Sequence, residues 1–125
     1  MAERTGVPTR VFAGGVAHVR DGGVAYAYDG GVAYVRDGGT SYVFRGGLAV
    51  VLAGGTVYVW QGGMAVVCKG GRGTALAGGR VVVREGGRAF VCRGGTVVAW
   101  PGAEVTGVGT LVLCDHPEHE EAEHA

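Results

Sequence analysis

Hydrophobic and polar positions along this chain follow an eight-residue beat, a Gly-Gly pair followed by six residues of alternating character. Eleven pairs run from Gly14-Gly15 to Gly94-Gly95 without a slip, and Gly102-Ala103 follows in register. Representative units are GGVAYAYD, GGTSYVFR, GGTVYVWQ and GGRAFVCR. Short runs rich in Val, Tyr, Thr, Phe and Trp between glycine pairs predict strands between turns. No helical spacing competes with them.

Within the octad, the fourth position is Ala, Val, Ser or Gly throughout (Ala17, Ala25, Ser41, Val57, Gly73), and the sixth is always Val or Ala (Val19, Ala27, Val43, Val59, Ala75). Neither ever carries a charge or a ring. The seventh takes Arg20, Arg36 and Arg84 as well as Leu52, Trp60 and Trp100. Because successive side chains on a strand point to opposite faces, the second glycine and positions four and six form the buried column. Positions three, five and seven face outward.

Gly-Gly also suits a hairpin, so an antiparallel meander is the competing fold. It fails on parity. Residues flanking a two-residue hairpin share a face, so the buried set would swap between even and odd positions at each strand. It never swaps, which predicts a solenoid. Sorting alternate octads separates Tyr26, Tyr42, Tyr58, Thr74 and Phe90 from His18, Tyr34, Val50, Val66, Val82 and Val98, whereas sorting by threes separates nothing. The small Ala/Val/Gly interior also suits two facing sheets better than a three-sided prism. The expected fold is therefore all-β, a flattened two-sheet parallel β-solenoid with 16 residues per coil. About six coils, their strands ~4.8 Å apart, would make a slab roughly 30 Å long.

Residues 1–13 are expected to form an N-terminal cap, residues 14–103 the octad solenoid, and residues 104–114 a C-terminal cap strand ending in Leu111-Val-Leu-Cys114. Residues 115–125 read as a flexible acidic tail containing histidines. Pro8, lacking a ladder donor, suits an end strand. Over residues 14–103 the glycine-paired short strands resemble the passenger repeats of bacterial autotransporter adhesins. In size they are also similar to bactofilin-type cytoskeletal β-solenoids. The resemblance is one of architecture and carries over no functional residue.

Gly supplies 27 of 125 residues, yet only three residues are Pro and the apolar fraction is 47%. That mixture excludes collagen and argues against a disordered chain. Formal charge is zero. Residues 1–114 carry 11 basic and 6 acidic side chains and residues 115–125 carry only five acids, so a basic body precedes an acidic tail. The N-terminal residues show no apolar signal segment, and no stretch approaches the roughly 20 apolar residues of a membrane helix. Three cysteines (Cys68, Cys92, Cys114) make a poor disulfide framework. A cytoplasmic protein with reduced thiols is expected.

The richest surface is aromatic: Tyr26, Tyr42 and Tyr58 in one column, Tyr28, Phe44 and Trp60 in the next. At ~150–250 Å² per ring, together they exceed the patch size that marks an interface. Three readings stand: ladders that only stabilise neighbouring strands, a self-association face, and a platform for carbohydrate or another planar ligand. Self-association, as a homodimer or filament, is the favoured one, with the other face (Leu48, Val50, Leu52, Met64, Val66) as a second apolar surface.

Arg72, Arg80, Arg84, Arg88 and Arg93 concentrate charge in the later octads, divided between two faces, with the acidic tail able to fold back onto them. A nucleic-acid surface is disfavoured by that division and by the near-neutral balance. Asp21, Asp29 and Asp37 precede glycine pairs without the calcium-binding nonapeptide, and Asp is a common turn residue. Cys114, His116, His119 and His124 lack the paired spacing of a zinc site. Outward Thr40, Thr56, Thr74 and Thr96 are too scattered for an ice-binding rank. No nucleophile–base set, paired carboxylates or phosphate loop occurs, so the expectation is a non-enzymatic scaffold without cofactor or metal.

Overall fold

Four-residue strands are all that six residues between glycine pairs allow, and every one forms. The computed structural model describes residues 8–12 and 14–113; the tail at 115–125, Cys114 and residues 1–7 of the N-terminal cap lie outside the described residues. One sheet, A, contains β1 (Pro8–Val11), β3 (Val24–Ala27), β5 (Thr40–Val43), β7 (Thr56–Val59), β9 (Arg72–Ala75), β11 (Arg88–Val91) and β13 (Glu104–Gly107) in that order. The other, B, contains β2 (Val16–Val19), β4 (Val32–Val35), β6 (Leu48–Val51), β8 (Met64–Val67), β10 (Arg80–Val83), β12 (Thr96–Ala99) and β14 (Thr110–Leu113).

All pairing is parallel, and in sheet A the register steps by 16 residues: Pro8, Val24, Thr40, Thr56, Arg72, Arg88, Glu104. The chain is thus a two-sheet β-solenoid of about six coils. No described helix is long and apolar enough to cross a membrane.

Positions four and six fill the space between the sheets. Ala25, Ala27, Val35, Val43, Val51, Val59, Val67 and Val83 are wholly buried. Such small side chains contribute little transfer free energy each, so the continuous ladders carry much of the cohesion. Among the described residues Ser41 is the one buried polar side chain of this core, and its hydroxyl has no hydrogen-bond partner.

The two glycines of a pair do different work. At the Gly38-Gly39 corner, Gly38 has φ +90°, the left-handed conformation that L side chains resist. Gly39 is buried against the coil beneath, where a Cβ would lie 2.5 Å from the Val19 carbonyl oxygen. Its N–H donates to the Arg36 carbonyl at 2.9 Å and closes the turn.

Three octads end in Asp, and Asp21, Asp29 and Asp37 also adopt positive φ (44° to 51°). Their corners therefore have two left-handed residues in succession, the type I′ pattern, to which Asp is better suited than most residues. In this conformation each Asp N–H also donates along the solenoid axis, to the carbonyls of Asp37, Arg45 and Ala53 respectively. Asp21 and Asp37 stack at one corner and Asp29 lies at the other, so the recurrence of Asp has a backbone explanation.

The segment after Gly102 forms two strands, β13 and β14, where the sequence suggests a single cap strand. They are joined by Val108-Gly109, so β14 starts six residues after β13 instead of eight. Gly107 (φ +120°) packs its Cα against the Val91 carbonyl, and both Val108 and Gly109 donate to that same oxygen, at 2.9 and 3.2 Å. The corner is cut short, yet register recovers, with Thr110 opposite Thr96. Among the described residues no further strand covers β14, and Leu113 is 67% exposed.

Candidate functional site

Outward positions five and seven of sheet A bring all six sequence-predicted site residues onto one face. Tyr26 and Tyr42 stack with ring centroids 5.4 Å apart, and Tyr42 and Tyr58 at 5.5 Å. In the adjacent column Phe44 and Trp60 stack at 5.1 Å. The columns also touch each other, Tyr42 against Trp60 at 5.7 Å and Tyr26 against Phe44 at 6.3 Å. Parallel strands impose this geometry: identical positions recur one strand spacing apart, so flat rings of similar size stack offset.

Phe12 extends the seventh-position column by a ring, stacking on Tyr28 at 5.5 Å with planes 4° apart. Sequence reading passed over it because its unit, Gly6–Ala13, lacks the second glycine. Its position as the seventh residue of that unit is the signal that could have found it. Arg10 stands beside Tyr26 in register. Together Arg10, Tyr26, Tyr28 and Phe44 line an open cleft of about 750 Å³.

The rings are only partly covered. Tyr26, Tyr28, Tyr42, Phe44 and Tyr58 are half-buried and Trp60 is 37% exposed. Sheet B is weaker in aromatics, with one ladder of His18 on Tyr34 at 5.3 Å, followed by Val50, Val66, Val82 and Val98. Farther on, the Arg84 guanidinium lies 4.7 Å from the Trp100 ring centre. Cys68 and Cys92 are free thiols on opposite sheets. Among the described residues no three His, Cys, Asp or Glu side chains converge as a metal site would require.

No protein-family model matches the chain, and no curated protein matches it. Among solved structures it is similar to the TibC-catalysed, hyper-glycosylated fragment 55–350 of TibA, an autotransporter passenger fragment, with TM-score 0.61 and 31% sequence identity. The likeness covers 78% of this chain and 42% of that one. It agrees with the passenger-repeat architecture that the glycine-paired strands resemble. Because the chain spans less than half of that fragment, the neighbour carries the architecture and leaves activity open.

Proposed function

We propose that this chain is a non-enzymatic β-solenoid scaffold that associates with further copies of itself through its flat faces. The observation that carries the reading is the two-column ring ladder on sheet A, in register over three coils and still partly open to water. A ladder needed only to brace its own strands gains its stacking within the sheet and has no use for the exposed outer faces. Pairing that face with itself closes a two-fold dimer, while pairing it with the Leu48/Val50/Met64 face propagates a fibre. A cytosolic setting, with Cys68 and Cys92 reduced, belongs to this proposal.

Light scattering on a sizing column over a hundredfold range of concentration tests it. The expected result is a concentration-dependent mass above 12.7 kDa that the double variant Tyr42→Arg/Trp60→Arg returns to monomer. Monomer at every concentration would overturn the reading. A second reading rests on the cleft at Arg10, Tyr26, Tyr28 and Phe44: a surface-displayed module that stacks a carbohydrate on the rings. The likeness to an autotransporter passenger favours that setting, and a Trp60 emission change on adding glycans to a monomeric chain would support it.

A further inference from the structure

Beyond Trp60 the face of sheet A changes character. Its third-position column runs Val24, Thr40, Thr56 and then Arg72, Arg88, Glu104, with Arg72 and Arg88 directly in register on β9 and β11. Like charges in such a position repel. Arg88 is relieved by Glu104, with Nε to Oε1 at 2.9 Å. Arg72 has no ion pair among the described residues, and its neighbour on the other side is Thr56.

Two hollows flank this exposed guanidinium. One, about 320 Å³, lies at the glycine corner between Arg72 and Arg88. The other, about 250 Å³, lies across the strands and adds Thr74, Phe90 and Thr106. Phe90 is 46% exposed, unlike the half-buried tyrosines in its column. The place therefore offers an exposed guanidinium with no ion pair among the described residues, a partly exposed aromatic ring and two hydroxyl-bearing side chains around one shallow hollow.

We propose that this concavity binds a carboxylate-bearing sugar unit of an acidic glycan. Its carboxylate would accept from Arg72 and from whatever donors Arg88 keeps beyond Glu104, in the planar forked geometry that guanidinium favours. The C–H face of the sugar ring would lie on Phe90, and its hydroxyls would reach Thr74 and Thr106. The charge count selects this class over a polyphosphate. Two arginines and one glutamate leave a single net positive charge, enough for one carboxylate and too little for a phosphate chain. The site adjoins the Tyr26–Trp60 ladder, Thr74 lying in register beside Tyr58, and its argument does not use the self-association reading.

Titration of the 125-residue chain with sodium D-glucuronate, read on the arginine side-chain and aromatic-ring NMR signals, tests the site. Controls are D-glucose, which lacks the charge, and acetate, which lacks the ring. Shifts are expected at Arg72 and Phe90, with glucuronate binding roughly tenfold more tightly than either control. Arg72→Gln should reduce glucuronate to the glucose level, and Phe90→Ala to the acetate level. Both positions are exposed, so the fold should survive, and unchanged far-ultraviolet dichroism checks this. Acetate binding as well as glucuronate, or binding indifferent to Arg72→Gln, would overturn the assignment. So would tight glucuronate binding confined to a chain in which Asp115, Glu118, Glu120, Glu121 and Glu123 are all amidated, because the acidic segment would then be the occupant.

Discussion

On sheet A, β3, β5 and β7 present Tyr26, Tyr42 and Tyr58 at the register where β9, β11 and β13 present Thr74, Phe90 and Thr106. One column over, the earlier coils carry Val24, Thr40 and Thr56 where the later ones carry Arg72, Arg88 and Glu104. Beneath these contrasting surfaces the interior is the same, with Val43 and Val59 in the first half as fully buried as Val81 and Val83 in the second. At the corners the first glycines match, Gly38 at φ +90° and Gly94 at +88°, while the residue before them differs, Asp37 being left-handed (φ 44°) and Arg93 not. The solenoid thus separates two tasks. Inward positions and corners specify the coil, and outward positions vary freely. Outward choices still have energetic signs, since a stacked ring pair contributes ~0.5–1.5 kcal/mol beyond its buried area while like charges in register oppose pairing.

The largest expected effect should ignore the difference between halves. A Cβ at Gly39 would lie 2.5 Å from the Val19 carbonyl oxygen, and one at Gly95 would lie 2.6 Å from that of Ala75. Gly39→Ala and Gly95→Ala should each lose more than about 3 kcal/mol in urea unfolding, because backbone cannot move aside. Gly38→Ala meets nothing closer than 3.8 Å and should cost only the ~1–2 kcal/mol of a left-handed alanine. Tolerance of Ala at Gly95 but not Gly39 would break the claim of a common frame.

The next effect should depend on the half. Tyr42→Ala removes contacts to Tyr26, Tyr58 and Trp60, whereas Phe90 has no ring neighbour among the described residues. We expect about 2–3 kcal/mol lost for Tyr42→Ala against about 1 for Phe90→Ala, from the stacking terms and the exposed area of Phe90. Equal losses would show that stacking adds nothing.

Ser41→Ala brings this buried hydroxyl position into line with Ala25 and Ala89 in its column and should raise stability by about 1 kcal/mol, since no hydrogen bond is lost. A destabilised variant would mean that the hydroxyl has found a partner. The smallest effects concern surface charge. Arg72→Thr, which continues the Thr40–Thr56 column, should gain a few tenths of a kcal/mol at low salt, and Glu104→Gln should lose a similar amount. Both should fade at high ionic strength, and persistence would place these groups in a drier environment than their exposure implies.

Much of this was legible in the chain. The unbroken run of small uncharged residues at octad positions four and six identifies the inward set, and its failure to swap parity excludes hairpins although Gly-Gly favours them. The alternation of Tyr26, Tyr42 and Tyr58 with His18, Tyr34 and Val50 identifies the coil length. Phe12 escaped because its unit lacks one glycine, and the short final step escaped because Gly107 and Gly109 break the octad. The aspartates were less legible still, since only the φ angles show that Asp21, Asp29 and Asp37 occupy left-handed positions.

By itself the sequence determined what is local and periodic: which residues face inward, where the chain turns, and that every turn carries it onward. Those properties follow from the two-residue period of a strand and the conformational freedom of glycine, both of which act within one octad. The tertiary structure alone decided which rings touch, which glycine of each pair is held by close approach, that Ser41 lacks a partner, and that Arg88 finds Glu104 while Arg72 does not. Each of those depends on distances between residues on neighbouring coils, and only the stacking of coils sets them.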